Sequence, residues 1–171
     1  ELGLSRDAVT WPQLLQTAGY QTGLVGKWHL GIQPHFHPTK FGYGYFMGIL
    51  EGGTRPKNPT LEKDGKLGVI EGLCVDILTD HALEFIRKRT TGRWALSLHY
   101  RAPHAAYLPV APEVWRRFED KAVTLTDYPD LDVKMMTRVM REYLASVADI
   151  DRNVGRVLGL LDSLQLADDT L

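Results

Sequence analysis

Cysteine is nearly missing from this chain of 171 residues. Cys74 stands alone, so no intrachain disulfide forms and the count leaves the redox compartment open. No apolar run approaches the roughly 20 residues that a membrane-spanning helix needs. No charge of one sign dominates: 20 basic and 21 acidic residues leave a net charge of −1. Nothing global therefore draws the chain to nucleic acid or to an anionic membrane surface, and any basic site is local. There is no initiator methionine and no visible signal peptide, and Glu1 opens abruptly. A missing targeting segment thus says little about the complete protein. The composition, 44% hydrophobic and 24% charged, is that of a globular chain. The length suits one domain or a large part of one.

The most informative stretch present is Gly19–Gly31, Gly-Tyr-Gln-Thr-Gly-Leu-Val-Gly-Lys-Trp-His-Leu-Gly. A lysine and a histidine stand two residues apart after a short apolar segment. In an extended chain, residues i and i+2 face the same side. On that geometry Lys27 and His29 point together at one anion.

Thr10-Trp11-Pro12 reads as a helix start, with Thr10 as cap and Pro12 in the first turn. That helix, Trp11–Ala18, stops at Gly19. Gln21–Val25 reads as a short strand. From Leu30 to about Gly72 the chain is loop-rich. In it, Phe41–Gly48 mixes aromatics with glycine and reads as a tight packed loop. Glu51–Gly68 reads as a surface excursion with room for a small hairpin. Leu73–Arg89 is an amphipathic helix with Cys74, Ile77, Leu78, Ala82, Phe85 and Ile86 on one face. Trp94–Tyr100 is a largely buried strand. Pro112–Phe118 suggests a short helix, and Thr124–Asp132 a connector.

Val133–Leu166 carries Met140, Tyr143, Val147, Ile150, Val154, Val157, Leu161 and Leu164 at spacings of three and four. A coiled-coil interaction module would use that stripe. Leu144, Leu158 and Leu160 widen it, which favours a helix packed onto a sheet. Strands alternating with helices predict an α/β fold with a parallel sheet. Only two strands stand out, too few for a complete domain. The expectation is a piece of a larger domain, cut at both ends.

In open parallel sheets, ligands bind beyond the carboxyl ends of the strands. Lys27 and His29 follow the first strand, and His104 follows the second. Together they suit an oxyanion substrate: a fixed positive charge, plus imidazoles that move protons near neutral pH. Each residue has a plainer reading as solvated or loop filler. His35 and His37 form a His-x-His pair that can bind a metal, but no third ligand stands nearby, so a loop role is the expectation. Cys74 lies on an apolar helix face and reads as a buried structural thiol. Asp149, Asp151, Asp168 and Asp169 read as a solvated face or a helix end.

The segment Thr10–Gly31 resembles a signature of the sulfatases, the formylglycine-dependent sulfuric ester hydrolases of the alkaline-phosphatase superfamily. His37–Gly48 is similar to the loop that follows in that family, with Gly44 where an Asp is common. Leu78–Ile86 and Leu96–His104 resemble the helix and strand that lead to a catalytic histidine. Tyr143–Leu171 resembles the helix before a later metal-binding strand. The resemblance runs over nearly the whole chain from Thr10. It implies an alkaline-phosphatase-like parallel-sheet domain with flanking helices, of which residues 1–171 are an internal fragment. It also implies a sulfate-ester substrate, a sulfated carbohydrate or an aryl sulfate. Lys27, His29 and His104 would then be catalytic, with Lys27 and His104 at the sulfate and His29 at the formylglycine. Calcium is the expected cofactor of the whole enzyme, and many relatives are exported or lysosomal.

Several family features are missing from these residues. No Cys/Ser-x-Pro-x-Arg motif occurs, and Cys74 is followed by Val75 and Asp76. The paired aspartates of the family's first strand are absent, as are the later metal ligands. The expectation is that the nucleophile and metal ligands lie outside this chain, which alone is inactive. A phosphatase or phosphodiesterase of the same superfamily is one alternative. A non-catalytic homologue that binds sulfated glycans is another.

Overall fold

A computed structural model describes residues 2–5 and 7–171. Helix α1 is Trp11–Thr17 and strand β1 is Gln21–Lys27. Strand β2 is Tyr45–Ile49, β3 is Thr60–Lys63 and β4 is Lys66–Val69. Helix α2, Cys74–Arg87, leads to β5, Trp94–His99. A four-residue helix α3, Pro112–Trp115, precedes the long helix α4, Val133–Ser163.

The strands form one sheet in the order β4-β3-β2-β1-β5. β1 lies between β2 and β5 and is parallel to both, with Lys27 opposite Ile49 and Gly26 opposite His99. β3 and β4 add antiparallel, so the sheet is mixed rather than all parallel. The hairpin turns at Asp64-Gly65, both with positive φ, as a two-residue hairpin turn requires.

β1 is covered on both faces, and Leu24 and Val25 are fully buried. On one face Val25, Met47 and Ile49 pack against Cys74, Ile77 and Leu78 of α2. On the other, Leu24 and Phe46 meet Trp28, Phe36, Phe41 and Tyr43. Trp28 Nε1 donates to Phe36 O at 2.8 Å, and the Tyr43 and Ser97 hydroxyls bond at 2.9 Å. On that face the aromatic loop packs beside α1, whose Trp11 meets Tyr43 edge-on.

The expected loop Phe41–Gly48 therefore holds only in its first half, and its second half is β2. Gly48 misled the sequence reading: a Cβ there would lie 2.0 Å from Gly26 O, so the glycine marks close backbone approach inside the sheet.

α4 packs mainly on α2 and α3, reaching the sheet near Trp94 and Leu96 through Leu161. Its buried face is only partly the apolar stripe: Leu161 is buried, but Val147 and Val154 are exposed. Asp149 and Asn153 are 1% and 0% exposed, whereas Leu158 is 56% exposed. Asp149 thus departs from the solvated reading. Arg152 donates to its Oδ1 from Nε at 3.0 Å and also pairs with Asp76. Asn153 Nδ2 donates to Asp76 Oδ1 at 3.0 Å, and Arg156 pairs with Asp80. Burial is the largest influence on the Asp149 carboxyl and raises it, while Arg152 opposes. Asp151, Asp168 and Asp169 are exposed, as expected. No described helix is long and apolar enough to cross a membrane.

Candidate active site

Lys27 closes β1. It is half-buried and forms no ion pair among the described residues. The pairing toward β2 continues beyond the strand: Trp28 N donates to Ile49 O at 2.8 Å, and His29 N to Leu50 O at 3.0 Å.

His29 has φ of 58°, the left-handed region that non-glycine residues seldom occupy. The chain is no longer extended there, so the i, i+2 argument for Lys27 and His29 sharing a face fails. The imidazole instead lies against the backbone of Gly52, where a Cβ would come within 2.7 Å of Nε2. A glycine is required at 52 to leave His29 in this position.

His99 ends β5, and its Nδ1 donates to Lys27 O at 3.1 Å. This side chain ties the last residues of two neighbouring parallel strands together. Sequence reasoning passed over His99, although a histidine closing a buried strand was a readable signal.

His104 is exposed, five residues beyond β5. Its Nδ1 donates to Ala105 O at 2.9 Å. With Nδ1–H committed to a carbonyl, Nε2 holds the lone pair in the neutral ring and a proton in the charged one. Lys27, His29 and His104 all leave the same edge of the sheet, the carboxyl ends of the adjacent strands β1 and β5. None of the three side chains hydrogen-bonds another among the described residues.

The other candidates have structural partners. His37 Nε2 donates to Glu62 Oε1 at 2.9 Å, and its Nδ1 accepts from Thr39 N at 3.3 Å. It bridges the aromatic loop to β3. His35 packs on Phe36, with ring centroids 4.1 Å apart. Cys74 is buried, which pushes its thiol up to about 11 against a pull from Arg101. Among the described residues, no group of three His, Cys, Asp or Glu side chains could hold a metal ion.

The chain is an α/β sheet with Lys27, His29 and His104 beyond the carboxyl ends of two adjacent parallel strands, where ligands bind in open α/β sheets. The family model described as Sulfatase matches residues 3–171, and the chain belongs to the sulfatase family. It is 27% identical to an N-acetylglucosamine-6-O-sulfatase of Bacteroides thetaiotaomicron, over 96% of this chain and 43% of that protein. It is 30% identical to human N-acetylgalactosamine-6-sulfatase, over 93% of this chain and 30% of that protein. Among solved structures it resembles Ps i-CgsB in complex with k-i-k-neocarrahexaose. There the TM-score is 0.80 at 25% identity, over 96% of this chain and 39% of that one. The chain thus spans less than half the length of each of these proteins.

Proposed function

We propose that the protein carrying this chain hydrolyses the sulfate ester of a carbohydrate to free alcohol and sulfate. In that reaction the ester S–O bond breaks as a new S–O bond forms, and the leaving oxygen takes up a proton. Lys27 is the fixed cation for the anionic sulfate oxygens. Its charge matters most where negative charge grows in the transition state. His104 is the proton donor to the leaving oxygen through Nε2, with Nδ1 held by Ala105 O. His29 is the proton acceptor on the nucleophile's side.

What supports the reading is that these three residues leave one sheet edge in a chain of the sulfatase family. The names of the relatives make a 6-O-sulfated N-acetylhexosamine the first substrate to try. The family resemblance also calls for calcium and a formylglycine. The described residues form no metal-binding group, and the sequence has no Cys/Ser-x-Pro-x-Arg motif. These residues do not fit either group, so neither carries a step here.

The test is sulfate release by the full-length protein from N-acetylglucosamine-6-sulfate and from p-nitrophenyl sulfate, with p-nitrophenyl phosphate as control. Sulfate release from the sugar is the expected result. Phosphate release without sulfate release would overturn the reading in favour of a phosphotransfer relative. Glycan binding without hydrolysis would favour a non-catalytic homologue.

A further inference from the structure

Arg101 lies two residues beyond β5, and its side chain gathers the backbone that follows it. Its Nη1 donates to His104 O and to Ala106 O, both at 2.8 Å. Its Nη2 donates to Ala105 O. Three successive carbonyls are therefore collected on one planar cation. Ala105 O is also the acceptor for His104 Nδ1, so guanidinium and imidazole share one oxygen.

This segment has no ladder of its own. Residues 100–111 contain neither helix nor strand, and their carbonyls need partners from elsewhere. A guanidinium suits that task because its N–H groups are fixed in a planar fork. An ammonium is a point donor on a flexible stem and does not hold three carbonyls in the same arrangement.

The inner end of Arg101 is buried, and its Nε has no hydrogen-bond partner among the described residues. The side chain lines a cavity of about 20 Å³ with Leu73 and Cys74 of the α2 start and Ser146 and Asp149 of α4. Further along the loop, the Tyr107 ring meets Tyr143 of α4 edge-on, with centroids 5.7 Å apart. The loop that carries His104 is thus referenced to two helices through Arg101 and Tyr107.

We propose that Arg101 is the positioning residue for His104. It holds the 104–106 backbone so that Nδ1–H is spent on Ala105 O and Nε2 is left for proton transfer. The kinetic part of this proposal rests on the sulfatase reading, and the backbone part does not.

The test compares wild type, Arg101→Lys, Arg101→Ala and His104→Ala in the full-length protein. With p-nitrophenyl sulfate, Arg101→Lys is expected to lose about 10²-fold in kcat with KM within about threefold, as a small misplacement of a reacting group does. Millimolar methylguanidinium is expected to restore part of the activity to Arg101→Ala and none to His104→Ala. A kcat for Arg101→Lys within about twofold of wild type would overturn the proposal. Hydrogen exchange separates the two readings. If wild type releases no sulfate, the sulfatase reading fails, but exchange still decides the clamp. Faster exchange over 101–109 in Arg101→Lys, with α2 and α4 unchanged, supports it. Unchanged exchange over 101–109 overturns it.

Discussion

The proposed reaction gives Lys27 and His104 different roles at the ends of neighbouring strands, and their substitutions should differ accordingly. In the proposed reaction Lys27 stabilises charge, so Lys27→Ala is expected to lower kcat by about 10²–10³. His104 moves a proton, so His104→Ala is expected to cost about 10²–10⁴, with the larger loss on substrates whose leaving group is basic. Steady-state kinetics on a poor and a good leaving group check both; equal losses on the two substrates for His104→Ala would count against its role. Cys74 gives a prediction that needs no substrate. Burial holds its thiol near 11, above its ordinary value, so far less thiolate is present at pH 8 than in an exposed cysteine. Alkylation by iodoacetamide at pH 8 should be slow in the folded protein and fast in urea. Fast labelling of the folded protein would show Cys74 exposed. At this level the sequence was informative about residue types. It indicated two cations near β1 and a histidine after β5, but not that His29 turns left-handed or that Arg101 reaches three carbonyls. Those facts depend on backbone angles and on neighbours distant in sequence.

Most of the helices were readable from their own residues. α1 begins where Thr10 predicted, and Thr10 N donates to Gln13 Oε1 at 2.9 Å as the first half of a capping box. α2 follows its apolar face closely. α4 is where element-level reading went astray. Its regular apolar stripe is half open, and its buried residues are Ala145, Ser146, Asp149, Asn153 and, from the stripe, Leu161. The reason is α2, which presents Asp76 and Asp80 to the Arg152–Arg156 turn. Breaking this seam from the arginine side leaves Asp149 buried without its guanidinium. Arg152→Ala is therefore expected to cost about 2–3 kcal/mol, below the figure for a fully buried pair because Arg152 is a third exposed. Urea unfolding should show a lower midpoint with an unchanged m-value. A midpoint within error of wild type would mean that the seam contributes specificity and not stability.

For the whole molecule, the chain holds one edge of a proposed active site and a mixed sheet whose outer parallel strand, β5, has a neighbour on one side only among the described residues. It contains no Cys/Ser-x-Pro-x-Arg motif. The 171-residue chain alone is therefore expected to release no sulfate from p-nitrophenyl sulfate, whereas the full-length protein is expected to release it. Turnover by the isolated chain would require a nucleophile among its own residues and would overturn the assignment of roles. By itself the sequence determined the alternation of helix and strand, the order of the chemical groups and the family, because these follow from local periodicity and from side-chain identity. Only the tertiary structure decided that Gly48 lies inside a strand, that α4 buries Asp149 while Val147 and Val154 stay exposed, and that one arginine gathers the loop of His104. Each of those is a choice between locally acceptable conformations, and the partner that decides it comes from another part of the fold. The same holds for the Gly19–Gly31 run: its residues name the cations, but β2 and β5 determine where they stand.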